Sequence, residues 1–161
     1  MAERAHGRRI AQRLVGLALL PSALEGIRTL ARQPRFWAFG YVVWVCVLFV
    51  ASSFHGIPGP NIPHLDKVEH AGFFAAGHLV LGLAFSARIS QPTTRRWLRI
   101  AVVLVIVAGL VGVLDEFHQS FTPGRNGNDI GDVVADITGG IIAACLLPKA
   151  WGFLQRFTAS G

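Results

Sequence analysis

The sequence predicts an all-α fold: an integral membrane bundle of four transmembrane helices with both termini cytoplasmic, preceded by a basic amphipathic segment. Three observations predict it. Hydrophobic residues make up 52% of the 161 residues and charged residues only 15%, against about 25% in a typical soluble domain. Four stretches reach or approach the roughly 20 apolar residues needed to cross about 30 Å of hydrocarbon. The basic residues are also strongly segregated: 13 of the 15 Lys and Arg fall on the side of the spans that holds both termini.

The elements follow in chain order. Residues 1–35 form a basic segment with two readings. Leu14 to Leu20 followed by Pro21 has the apolar core of a signal peptide, but the small-residue cleavage site is unconvincing and Arg28, Arg32 and Arg35 follow it. The alternative is an interfacial helix, with Leu24, Ile27, Leu30 and Ala31 on one face and the three arginines on another, lying on an anionic inner leaflet. Residues 36–154 form the membrane domain. Its first span, Phe36 to Phe54, carries no charge and has Trp37, Tyr41 and Trp44 as interface anchors. The second runs from about Glu69 to Ala87, interrupted mainly by His70 and His78, and the third from Leu98 to Leu114. The fourth, Ile130 to Trp151, holds Asp132 and Asp136 in its first two turns and inserts if these carboxylates face the bundle or its mouth. Residues 155–161 form a cytoplasmic tail.

Cytoplasmic loops are enriched in Lys and Arg. Arg4, Arg8, Arg9, Arg13, Arg28, Arg32 and Arg35 precede the first span; Arg88, Arg95, Arg96 and Arg99 lie around the second loop; Lys149 and Arg156 lie at the C-terminal end. Only Lys67 and Arg125 remain outside, among seven of the nine carboxylates. The net charge of +6 is therefore a topology signal, and nucleic acid is not an expected partner. Cys46 and Cys145 sit inside spans and read as packing residues.

Ionisable groups within or beside a span are costly and ask for a function. Here they recur at helical spacing. Asp66, Glu69 and His70 stand at i, i+3 and i+4, and Asp66, His70, Phe74, His78 and Gly82 continue one stripe inward. Asp115, His118 and Gln119 repeat the pattern at the outer end of the third span, with Glu116 one step round. Asp129, Asp132 and Asp136 follow at i, i+3 and i+7. Polar faces at one leaflet level avoid lipid by facing one another, so a shared cluster is expected. On the fourth span Gly131, Ala135, Gly139 and Ala143 form a stripe of small residues, while Gly140 and Ala144 continue the line of Asp132 and Asp136; such stripes let helix backbones approach. Between the third and fourth spans, Pro123 and Gly124 suit a tight turn, and Asn126, Gly127 and Asn128 tolerate unusual backbone angles. Arg125 either pairs with a carboxylate of the cluster or, with Lys67, meets an anionic ligand; the two are compatible if the ligand displaces the internal partner.

Three strings now stand in order across four spans: Asp66-Lys67-x-x-His70, then Asp115-Glu116-x-x-Gln119-x-Phe121-x-Pro123-Gly124-Arg125, then Asp132-x-x-x-Asp136-x-x-Gly139. Together they resemble the VanZ-like family of small bacterial membrane proteins, over roughly Phe36 to Leu147. The central string is fairly specific; the flanking ones are weak alone. Asp136 stands where many members have Asn, which adds a negative charge. The resemblance implies a multi-pass protein of the bacterial plasma membrane with a cell-envelope role. The founding member is associated with low-level resistance to the glycopeptide teicoplanin.

Several functions fit these residues. The first is binding of a lipid-linked or anionic envelope component, or of membrane lipid, by Asp66, Lys67, His70, Asp115, Glu116, Gln119, Arg125, Asp132 and Asp136. The second is a membrane enzyme acting on a polyprenyl-phosphate or phospholipid head group. It would use His70, Glu116 or His118 as catalytic groups and Mg²⁺ or another divalent cation on Asp66, Asp115, Glu116 and Asp132. No cofactor is firmly implied, since no tight metal motif is present. The third is a proton-linked transport component using His78 and Asp136, which in four short spans would require a homo-oligomer. The fourth is a cluster that only holds the helices in register.

Overall fold

The computed structural model describes residues 21–54, 62–89, 92–125 and 127–160, which form helices and their connections without a strand. The apolar run Leu14 to Leu20, and with it the signal-peptide reading, lies outside these residues. Helix α1 covers 21–31, followed by α2 (Pro34–Ser52), α3 (Leu65–Ser86), α4 (Thr94–Gln119) and α5 (Ile130–Ala159). The last four are long and apolar enough to cross a membrane.

Local chemistry starts three of the helices. Pro34 opens α2 at a position where its missing N–H costs nothing. The Thr93 hydroxyl accepts from the Arg96 N–H at the head of α4, and the Asp129 carboxylate accepts from the Gly131 N–H at 2.7 Å at the head of α5. Three helices outrun the expected apolar spans, α3 by starting already at Leu65. α4 continues past Leu114 to Gln119, because backbone hydrogen bonding does not stop at the first charge and these polar side chains turn inward. α5 continues through Pro148 to Ala159, taking up residues 155–159 of the expected tail; a proline is tolerated there because neighbouring helices hold the segment.

α5 is the central element, packed along both α3 and α4, while α2 flanks α3. Adjacent glycines make this possible. A Cβ on Gly139 would lie 2.5 Å from the Ala71 carbonyl oxygen of α3, and one on Gly140 would lie 2.6 Å from Ala108 Cβ of α4. The small-residue stripes therefore serve two interfaces at once. Toward the end that holds the C-terminus, the end expected to be cytoplasmic, Leu83, Ile100, Leu104, Leu147 and Trp151 form an apolar cluster. On α4, Val102, Ile106, Leu110 and Val113 point outward as an exposed apolar stripe, the surface that lipid would cover.

α1 sits against the inner end of the bundle. The Arg32 guanidinium donates to the Thr158 carbonyl of the last turn of α5, and Arg28 lies 5.5 Å from the centre of the Phe157 ring. A cation thus meets the negative end of a helix dipole. Leu24, Ile27 and Leu30 remain exposed, whereas Ala31, assigned to the same face, is buried.

Candidate functional site

The outer ends of α2 to α5 and the loop after α4 bring the polar residues together in two adjoining groups. The loop sets their positions. A Cβ on Gly127 would lie 2.3 Å from the Ser120 amide nitrogen, so only glycine lets the chain fold back over the end of α4. Gly124 and Asn128 take left-handed backbone angles, φ 79° and 69°, conformations these two residue types tolerate best. The returning chain then donates the Asp129 N–H to Glu116 Oε2 at 2.7 Å.

The first group is a clasp between α3 and α5. Lys67 Nζ lies 2.7 Å from Asp129, 2.7 Å from Asp132 and 3.0 Å from Asp66. His70 Nδ1 is 3.0 Å from Asp136 Oδ1, and its Nε2 is 3.7 Å from Asp132 Oδ1. Asp136 is fully buried, and its other oxygen occupies space left by Gly112, whose Cβ would approach it to 2.6 Å. The Lys67 ammonium, helped by the Gly131 N–H, holds the Asp129 carboxyl below its ordinary value.

The second group lines a pocket of about 340 Å³ between α2, α3 and α4. One wall is apolar, from Leu48, Ala51, Phe73 and Phe74; the other is polar, from Ser52, Asp66, Glu69, His70, Asp115, Gln119 and Arg125. Asp115 is fully buried yet satisfied: the Ser52 hydroxyl donates to one oxygen at 2.5 Å and the Gln119 amide to the other at 2.7 Å. Arg125 differs. Among the described residues it forms no ion pair within 4.0 Å, and its Nε is buried without a hydrogen-bond partner.

Of the nine ligand-binding candidates, Asp66, His70, Asp115, Gln119 and Arg125 line the pocket, while Lys67, Glu116, Asp132 and Asp136 belong to the clasp and its edge. Lys67, expected to share an anion with Arg125, is already held by three carboxylates. His118 stands apart, 3.0 Å from the Ser53 hydroxyl and edge-on to Phe49. His78 bonds the Phe74 carbonyl at 2.9 Å among the rings of Tyr41, Trp44 and Phe74; its described contacts include no carboxylate of the cluster. Of the four carboxylates considered as metal ligands, only Glu116 and Asp132 converge, and they do so with His70: one ligand atom of each lies within 4.8 Å of the others. Asp66 is turned to Lys67 and Asp115 to Ser52 and Gln119.

Sequence reasoning missed Ser52 and Gly112. A hydroxyl in the outermost turn of the first span, at the leaflet level of Asp115, was the available signal for Ser52. Nothing in the spacing identified Gly112 as the seat of Asp136.

The fold and the cluster together define a class: a four-span helical membrane protein carrying a polar site at one end of its bundle. The VanZ/LLP1 family model matches residues 36–153, and the chain belongs to that family. No curated protein and no solved structure matches the chain. It is a VanZ-like multi-pass membrane protein, and the matched region begins where the basic N-terminal segment ends.

Proposed function

We propose that this protein works in the bacterial plasma membrane as a binding component of the cell envelope, holding the anionic head group of a lipid or lipid-linked precursor in its outer pocket. The observation that carries the proposal is Arg125: a guanidinium facing a pocket, with a buried Nε that has no described partner. A planar fork of donors suits phosphate or carboxylate. The apolar wall of Leu48, Ala51 and Phe73 suits the first methylenes of a lipid chain. The two walls thus match the two halves of an amphiphile. Tolerance of teicoplanin-type glycopeptides is one form such a role takes, through the supply or exposure of the envelope component that is bound.

The test is lipid analysis by native mass spectrometry on protein purified from bacterial membranes, with Arg125→Ala as the comparison. The proposal expects an anionic lipid retained by the wild-type chain and absent from a variant that still inserts and stays monodisperse. Identical lipid profiles would remove its basis. In cells, deletion of the gene followed by complementation with wild type or Arg125→Ala shows whether glycopeptide susceptibility follows the same residue.

A further inference from the structure

The clasp carries more negative charge than the cations beside it offset. Lys67 is one ammonium set against Asp66, Asp129 and Asp132. Glu116 stands next to them, only 2% exposed, and its Oε1 is buried with no hydrogen-bond partner. A carboxylate oxygen so placed is costly unless it is paired or coordinates a metal. Glu116 belongs to a group in which His70, Glu116 and Asp132 each bring one ligand atom to within 4.8 Å of the others.

We propose that His70, Glu116 and Asp132 bind a divalent transition-metal ion of the Zn²⁺ class. His70 is oriented for the task. Its Nδ1 faces Asp136 Oδ1 at 3.0 Å, and with the proton on that nitrogen a neutral imidazole presents Nε2 as a lone pair. Nε2 in turn faces Asp132 Oδ1 at 3.7 Å. In that tautomer two acceptors face each other there, Asp132 Oδ1 also accepting from Lys67 Nζ at 2.7 Å, and the separation is near the roughly 3.4 Å between ligand atoms around a tetrahedral Zn²⁺ with bonds of about 2.1 Å. A carboxylate behind a ligating histidine is the usual outer partner of such sites, fixing tautomer and ring orientation. The imidazole moves the preference from Mg²⁺, which favours oxygen ligands and retained water, toward Zn²⁺. A fourth position would remain open. His70 also lines the pocket, so an ion here would stand beside the pocket, but the site holds whether or not the pocket takes an anion.

The experiment uses the full chain, purified without a polyhistidine tag, stripped with chelator and dialysed against Zn²⁺, with metal content and affinity measured. One Zn²⁺ per chain is expected, not displaced by excess Mg²⁺. Glu116→Gln, which preserves shape, and His70→Ala should each weaken binding by more than about a hundredfold, and Asp136→Asn by roughly 10- to 100-fold, the range for outer partners of a ligating histidine. A wild-type chain that takes up no stoichiometric Zn²⁺ overturns the proposal without recourse to any variant. Equal Zn²⁺ affinity in wild type, Glu116→Gln and His70→Ala overturns it as well, since the ion would then lie elsewhere.

Discussion

The two ends of the bundle use the same three helices in opposite ways. At the inner end, which holds the C-terminus, α3, α4 and α5 meet through Leu83, Ile100, Leu104, Leu147 and Trp151. At the opposite, outer end of the bundle they bury Asp115, Glu116 and Asp136. In lipid there is no hydrophobic drive for helices to associate, so at the inner end α3, α4 and α5 meet through close packing. The outer end uses ion pairs and hydrogen bonds, which hold helices at the cost of desolvating charge. A bundle that needed only to stay assembled would gain little from seven outer carboxylates. Under the proposed function, this end is where a ligand is held.

Three changes sharpen the contrast, taken from the largest expected effect to the smallest. Leu104→Ala empties a fully buried inner position and should lower unfolding free energy by about 2–5 kcal/mol, toward the low end because lipid also solvates leucine. Ligand and Zn²⁺ binding should be unchanged, as measured by thermal unfolding and titration in one detergent. Ser52→Ala removes a donor from buried Asp115; leaving that oxygen unsatisfied should cost about 1–3 kcal/mol and, because Asp115 lines the pocket, should weaken ligand binding too. An inner variant that altered binding, or an outer one that altered only stability, would break the distinction.

The smallest effect is a pH dependence. The folded protein holds the Asp129 carboxyl below its ordinary value, through Lys67 first and the Gly131 N–H second. The unfolded chain therefore binds the proton more readily, and stability rises with pH across this window. The contribution is fully present above the ordinary carboxylate range and is lost as pH falls through the depressed folded value. Melting temperature followed from about pH 6 to about pH 3 should fall less steeply for Asp129→Asn, which keeps a capping side chain, than for wild type.

Much of this arrangement was legible in sequence. Apolar length and the asymmetry of Lys and Arg predicted four spans, and the i, i+3, i+4 spacings predicted that the polar residues share one end. The helix ends were less legible from apolar length. The apolar run of the third span ends at Leu114, and Asp115 to Gln119 stay helical, as their i, i+3, i+4 spacing implied, with Asp115, Glu116 and Gln119 buried. The split of the cluster was not legible at all. Whether Lys67 faces the pocket or the clasp depends on how α3 is rotated against α5, which the close approach at Gly139 sets and spacing along one helix does not report. His118 shows the same limit. It shares an arc of α4 with Asp115, but an arc is wide enough to address two neighbours, and His118 meets Ser53.

The proposed role of the outer end is to bind an anion through Arg125. The most direct test is titration of a short-chain alkyl phosphate, with a neutral alkyl glycoside as control, into wild type and Arg125→Ala in nanodiscs. Hydrogen bonds to a charged partner contribute about 1.5–3 kcal/mol, so the account predicts phosphate affinity about ten- to a hundredfold weaker in the variant, with the melting temperature of the free protein unchanged. Equal phosphate affinity in the two proteins, or no preference for phosphate over the neutral control, would contradict it.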